Sequence, residues 1–418
     1  MRKVISTNKV ITAKQQKLLI VLCWLLYTVS YFCRYSFNAN INAIMEAEHV
    51  IKSDTGIVTT CFFFAYGAGQ IINGIFCKYY DKRKVLSAAM LVSVIANLLL
   101  FFGVPFAAYK FIWAVNGFAQ SFLWSSIVQM YGSNIGNDRI KKAIVILSTS
   151  VATGTFLCYG VNAVMTAFGG WKYSFLISAV ALLIVTVLWF IFAGQYNYYR
   201  KPEELQAENK EEGASLTRKT VILMLAAFAV FAIIDNLMKD GMLTWTPTIL
   251  KEKFGYSDSI SLVLTLVLPL TGILGSILVG VLKRRFNSFF AILFLLYLVA
   301  GLGIGAVLLG LHFSLVLLFL LPFAVSYIML MGVNNLVTSF APLYMKGSID
   351  SGLMSGLMDG FCYVGSTVSG YGLASATEAW GWNGTFVMLA AFAGVAVILG
   401  IVVMAIESRR QKREKLLK

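Results

Sequence analysis

The sequence is poor in charge. Only 13% of its 418 residues are Asp, Glu, Lys or Arg, while 59% are hydrophobic; a soluble domain carries roughly 25% charged residues. That shortage excludes an ordinary water-soluble fold, because most of the chain must be solvated by lipid or by its own apolar helices. Histidine is nearly absent. His49 and His312 fall near the ends of apolar runs, which sets a histidine metal site aside. Six cysteines (Cys23, Cys33, Cys61, Cys77, Cys158 and Cys362) lie inside or at the rim of apolar runs, and none forms a C-x-x-C pair. They read as small core residues, not as a disulfide framework or a zinc set. A Gly-rich phosphate loop, an aromatic RNA platform and a nucleophile–base pair are all lacking. No stretch is long enough for a soluble catalytic domain. The chain is therefore not read as an enzyme, and no cofactor or metal is expected.

What is present is a series of long apolar runs. Twelve spans are predicted, near 17–42, 55–77, 85–104, 108–134, 143–168, 174–197, 220–247, 259–282, 289–311, 313–340, 351–376 and 384–406. Each is about 20 residues or more, enough to cross roughly 30 Å of hydrocarbon. The weakest division lies near His312, where the ninth and tenth spans almost touch. The net charge of +15 would suit nucleic acid if it were clustered on a folded surface. Instead the Lys and Arg residues sit in short loops and tails, as orientation signals and contacts to anionic lipid head groups. One side of the membrane collects 27 of the 34, from the N-terminus, 78–84, 139–142, 198–219, 283–285, Lys346 and the C-terminus. The other side holds five: Lys52, Lys110, Lys172, Lys251 and Lys253. That bias predicts a multi-pass protein of the cytoplasmic (inner) membrane with both termini in the cytoplasm. The basic N-terminus followed by an apolar run could be a signal peptide. The run continues through Phe32 without an A-x-A-like site, so it is read as an uncleaved first span.

The chain reads as two similar halves. Gly170-Trp171 recurs as Gly381-Trp382, Ser53-Asp54 as Ser257-Asp258 and Gly74 as Gly280, at offsets of 211, 204 and 206. Each pair occupies the same place in its half, which points to duplication. The predicted domains are 1–197, an N-terminal six-helix bundle; 198–219, a charged cytoplasmic linker; and 220–418, a C-terminal six-helix bundle with a basic tail. The fold class is an all-α membrane protein of twelve transmembrane helices in two pseudo-symmetric six-helix bundles, with a polar cavity expected where the halves meet. Gly154 and Gly160 in the fifth span, and Gly352, Gly356, Gly360, Gly365 and Gly370 in the eleventh, would let helices approach closely, either as static packing or as a sliding surface.

Charges inside spans cost about 2.5–3.5 kcal/mol each on insertion scales, so each needs a partner or a purpose. They are Arg34, Asp235, Lys239, Asp240 and Asp359. Arg34 and Lys239 lie 205 apart, close to the repeat offset, which makes them symmetry mates. Two such cations suit an anion: Arg offers a planar fork and Lys a point charge. Against this, Asp235 stands one helical turn before Lys239 and could neutralise it, with Asp240 adjacent. Asp359 is either a structural ion-pair partner or a proton-binding coupling site. Polar and aromatic residues extend the candidate site: Tyr31, Tyr35 and Asn38 around Arg34; Tyr66 and Gln70 in the second span; Gln120 and Trp124 in the fourth; Asn334 and Asn335 in the tenth. For the aromatic residues, core packing or an interfacial belt is the competing role. Buried Asn and Gln must each find a polar partner.

Tyr31-Phe32-Cys33-Arg34-Tyr35, Tyr66-Gly67 with Gly74, Gly241 through Thr248, and Gly381-Trp382-Asn383-Gly384 carry a resemblance along the whole chain. It resembles the major facilitator superfamily, and within it the organophosphate:phosphate antiporter branch of glycerol-3-phosphate and hexose-phosphate transporters. The resemblance implies a major facilitator fold and assigns phosphoryl binding to Arg34. It also has departures. The branch's second substrate arginine falls on Lys239, a second-span lysine falls on Gln70, and Ser148 to Thr155 contains no counterpart to a fifth-span histidine. The acidic position of the cytoplasmic G-x-x-x-D-R loop falls on Lys78 and Arg284.

The expected function is a secondary active transporter of a small anionic or polar organic solute: an organophosphate, a sugar acid or another carboxylate. Two alternatives stay open. One is a proton-coupled carrier of a neutral or zwitterionic solute, with Asp359 or Asp235 carrying the proton. The other is a non-transporting membrane sensor of external sugar phosphate. Expected partners are the solute and membrane lipid, with protons or inorganic phosphate as candidate coupled ions, no nucleic acid, and a monomeric state.

Overall fold

The computed structural model describes residues 11–77, 79–196, 218–286, 288–345, 348–349 and 351–416. Among them nearly every residue is helical and no strand occurs. The helices run in chain order as α1 (Ala13–Ala39), α2 (Ile41–Glu48), α3 (Lys52–Phe76), α4 (Lys82–Phe102), α5 (Phe106–Gln120), α6 (Phe122–Asn134), α7 (Asn137–Ala167), α8 (Tyr173–Phe192), α9 (Arg218–Phe254), α10 (Asp258–Thr265), α11 (Val267–Arg285), α12 (Phe289–Phe313), α13 (Val316–Asn335), α14 (Ala341–Tyr344) and α15 (Ser351–Leu416).

Among the described residues, eleven stretches are long and apolar enough to cross a membrane. The last is too long for one crossing. At 66 residues it would reach about 99 Å, three times the roughly 30 Å of hydrocarbon. It breaks at Gly381, whose φ of 67° is a left-handed conformation that glycine adopts without penalty. The stretch is thus two spans, and the total is the twelve predicted. Near His312 the division is made by Ser314, whose φ of 53° ends α12 shortly before α13 begins. Two predicted spans are each built from two helices: the fourth turns at Ser121 between α5 and α6, and the eighth at Leu266 between α10 and α11. Ser257 caps α10, its hydroxyl accepting from the N–H of Ile260 at 3.4 Å. At the matching place in the first half α3 already includes Ser53, and Asp54 does the capping, accepting from the N–H of Ile51 at 3.2 Å.

The chain divides into two compact units. Unit 1 comprises Met1–Ala43 and Cys61–Glu212; unit 2 comprises Ile44–Thr60 and Gly213–Lys418. The linker expected at 198–219 falls outside the described residues except for its last two.

Unit 1 is organised around α1. The helix starts on a capping box: the Thr12 hydroxyl accepts from the N–H of Gln15, and the Gln15 side chain accepts from the N–H of Thr12. From Ser30 to Ala39 every residue is buried, so this part of the helix is enclosed by α7, α8 and the α4–α6 layer. Enclosure on all sides is what allows a span to carry Arg34 and Asn38 away from lipid.

Unit 2 repeats the plan with α9 at its centre, packed chiefly on α15. It also takes in the Ile44–Thr60 strap. Lys52 pairs with Glu252 at 2.8 Å, the N–H of Ser53 donates to Glu378 at 2.8 Å, and the Thr60 hydroxyl donates to the carbonyl of Thr367 at 2.7 Å. Gly56 faces the backbone of Gly370 so closely that a Cβ on either would collide with the other's carbonyl oxygen.

Close backbone approaches repeat between the units at the sequence offset. In unit 1, Gly154 of α7 touches the carbonyl of Thr28 on α1; in unit 2, Gly365 of α15 touches the carbonyl of Ile233 on α9. These positions are 211 and 205 apart, as in the motif pairs. Gly69 and Gly275 mark a second matching place, the first against the Ser121 side chain and the second against the backbone of Ile328 and Gly332. The duplication read from three short motifs is therefore also a duplication of contacts, held by glycine where two helices meet backbone to backbone.

Candidate functional site

Arg34 sits within the enclosed part of α1, 3% exposed. Its Nε donates to Gln120 Oε1 at 3.2 Å. Its guanidinium carbon lies 4.3 Å from the ring centre of Tyr31, 4.2 Å from that of Tyr66 and 5.7 Å from that of Phe62. Tyr31 is one turn back on the same helix. Tyr66 and Phe62 come from α3, one turn apart, and Gln120 comes from the end of α5. Cation–π contacts of this kind supply attraction without neutralising the charge.

The remaining candidates of unit 1 form a shell around this group. Gln70 donates to the Tyr66 hydroxyl at 3.2 Å and accepts from Ser125 at 3.1 Å. Tyr35 stacks beyond Tyr31 at 6.0 Å between centroids. Trp124 joins through Tyr27, 5.4 Å from one ring and 5.1 Å from Tyr31 on its other side. Asn38 is buried one turn further along α1. Phe62, Tyr27, Asn116 and Ser93 belong to the shell and did not stand out in the sequence. Asn116 accepts from Gln120 Nε2 at 3.1 Å and from the Ser93 hydroxyl at 2.6 Å. It lies four residues before Gln120 on one helix face, so spacing alone could have found it.

In unit 2 the mate of Arg34 has a different setting. Lys239 Nζ pairs with Asp240 at 2.7 Å, both side chains largely buried. The pairing with Asp235 suggested by one-turn spacing is not the one formed. The other Asp240 oxygen accepts from the Ser366 hydroxyl on α15, which draws the carboxylate into the lysine's reach. Asp235, 0% exposed, accepts weakly from Asn236 at 3.4 Å. Asn334 donates to Asn236 Oδ1 at 3.4 Å and lies 3.9 Å from Cys362 Sγ, so α9, α13 and α15 share one polar cluster. Asn335 is half-buried where α13 loosens into the π-turn 336–340. Asp359 is half-buried on α15 and makes no ion pair or hydrogen bond among the described residues. Lys78, where the cytoplasmic loop pattern departs from its acidic consensus, lies outside the described residues, as does Lys346. No group of three His, Cys, Asp or Glu side chains able to hold a metal occurs among the described residues.

A duplicated twelve-span helical protein, with a buried cation at the same place in each repeat and polar side chains around it, has the construction of a membrane solute carrier. The chain belongs to the Major Facilitator Superfamily, whose sequence profile matches residues 23–349. It is similar to the membrane sensor protein UhpC of Salmonella typhimurium, 22% identical over 95% of this chain and 93% of that one. It is also similar to the glycerol-3-phosphate transporter of Bacillus subtilis, 24% identical over 93% and 91%. These relatives match the organophosphate:phosphate antiporter branch that the motifs around Arg34 resemble. Among solved structures, a bacterial homolog of the human lysosomal transporter Spinster, inward-facing and occupied, superposes with a TM-score of 0.75 at 13% identity, over 94% of this chain and 98% of that one. That likeness carries the fold.

Proposed function

We propose that the chain is a secondary active transporter of a small organic anion, with an organophosphate as the leading class, and that Arg34 anchors its oxyanion. The observation that carries this reading is the setting of Arg34. The rings and the Gln120 carboxamide orient a guanidinium, which is always protonated and whose planar fork suits a phosphoryl or carboxylate group. Burial of that charge within a span is costly unless it serves a purpose, and a passing anion supplies one. The resemblance to a glycerol-3-phosphate transporter supports the same class. Lys239, already paired with Asp240, has the lesser role: it adjusts the field on the unit 2 side. The family and the distribution of Lys and Arg support transport by alternating access in the cytoplasmic membrane, with both termini in the cytoplasm.

The test is a thermal-shift screen of the purified protein against glycerol 3-phosphate, inorganic phosphate, sugar acids and amino acids, repeated with Arg34→Ala. Stabilisation by the anions that vanishes in the variant supports the anchor. Equal shifts in both proteins make Arg34 structural and end the reading.

A second reading is favoured by the likeness to a membrane sensor protein: ligand binding without net transport. Proteoliposomes loaded with phosphate separate the two. Exchange of external labelled glycerol 3-phosphate for internal phosphate marks a carrier, and binding without exchange marks a sensor.

A further inference from the structure

Behind Arg34, Gln120 is the first member of a chain of buried polar side chains whose further members the transport reading does not use. Ser93 on α4, Asn116 and Gln120 on α5 are all 0% exposed. The Ser93 hydroxyl donates to Asn116 Oδ1 at 2.6 Å, Gln120 Nε2 donates to the same oxygen at 3.1 Å, and Gln120 Oε1 accepts from Arg34 Nε at 3.2 Å. Ser93 is itself tied down, since its carbonyl accepts from Asn97 Nδ2 at 2.9 Å, and Asn97 Oδ1 accepts from Ser36 on α1 and Ser178 on α8.

The polarity of this chain is dictated from one end. Arg34 Nε can only donate, so the oxygen of Gln120 must face it. The NH2 group of Gln120 must then face Asn116, which requires an oxygen there. Turning either amide over would set donor against donor, so neither orientation is a free choice. The arrangement has a cost: Asn116 Nδ2 is buried without a hydrogen-bond partner, and such orphans need an explanation. Nor is the chain a product of the repeat. At the offset of 211, Asn116 corresponds to Tyr327 and Gln120 to Met331, so unit 2 builds the same fold without it. The α5 backbone that carries it is also fixed in place, because Gly117 packs directly on the carbonyl of Phe62.

We infer that Asn116 is a positioning residue for the solute site: through Gln120 it holds the Nε edge of Arg34 and so sets the plane in which the guanidinium meets an oxyanion. This rests on the reading of Arg34 as the anion anchor.

The test is a double-mutant cycle read as affinity for glycerol 3-phosphate and for inorganic phosphate, by calorimetry on the purified full-length protein. Asn116→Leu keeps the volume and removes the acceptor, leaving the Gln120 amide without its partner. Affinity should fall about tenfold, the scale of one buried hydrogen-bonding group left unsatisfied. Asn116→Asp retains an oxygen facing Gln120 and should recover most of that loss. In an Arg34→Lys background, which has no Nε to orient, Asn116→Leu should cost less than about twofold further, since coupled residues depart from additivity. The inference is overturned if Asn116→Leu binds within twofold of the parent. It is also overturned if the loss is the same in the Arg34→Lys background, which is the behaviour of a merely structural residue. If the parent protein binds neither ligand, the anion anchor itself falls and the positioning role with it. If the parent binds and Arg34→Lys weakens it while Asn116→Leu does not, only the positioning role is lost.

Discussion

Arg34 and Lys239 occupy matching places in the two repeats and have been given opposite surroundings. Arg34 is held by tyrosine and phenylalanine rings and by a carboxamide oxygen, groups that orient a guanidinium through its faces and its Nε edge. Lys239 is held by a carboxylate that is itself fixed by Ser366, a setting that cancels charge. Duplication has preserved the helix contacts while the polar chemistry has diverged. The repeat thus specifies where a cation stands, and the neighbouring spans decide what holds it.

The contrast can be broken at either end. The largest effect is expected from Asp240→Ala, which strands the Lys239 ammonium in a buried setting. Removing one member of a buried pair costs about 3–5 kcal/mol, so thermal unfolding in detergent should shift sharply downward. A Lys239→Met, Asp240→Leu double variant should recover most of that loss, as apolar replacement of a buried pair is often neutral. Arg34→Ala comes next. Anion affinity should fall on the order of a hundredfold, the upper range for hydrogen bonds to a charged group, with unfolding temperature little changed in a direct thermal melt. Glycine replacements sharpen the comparison at the level of packing. Gly154→Ala and Gly365→Ala should each destabilise by about 1–3 kcal/mol through overpacking, and by similar amounts if the two seams are equivalent; chemical denaturation measures both. The smallest effect belongs to the strap. Lys52→Gln removes a half-exposed partner of Glu252 and should cost about 0.2–1 kcal/mol. That difference should shrink further in melts at high salt.

Most of the architecture was legible in the sequence because lipid imposes a simple rule: an apolar run of sufficient length becomes a helix. The repeat was legible in three short motif pairs, although their glycines Gly74, Gly280 and Gly381 stand in open space; the glycines that hold the seams are others, such as Gly154 and Gly365. The site was only partly legible. Tyr31 and Gln120 were visible, one by its spacing from Arg34 and the other as a buried polar residue. Phe62 was not, because one phenylalanine among 31 carries no signal of its position. Lys239 illustrates the limit of the spacing rule. One-turn neighbours pair on the open surface of a helix, and α9 is buried on nearly every side here. A tertiary partner, Ser366, fixed the competing carboxylate instead, and nothing local to α9 announces it.

The seam between α1 and α7 has a mechanical meaning. At Gly154 and Thr28 main chain rests on main chain, so no rotamer is available there to take up a small displacement. Arg34 lies six residues from Thr28 on the same helix, about 9 Å along its axis. Under the proposed anchoring of an anion by Arg34, a pull on the guanidinium would pass to the fifth span as translation of a stiff pair, without the slack that interposed side chains would give.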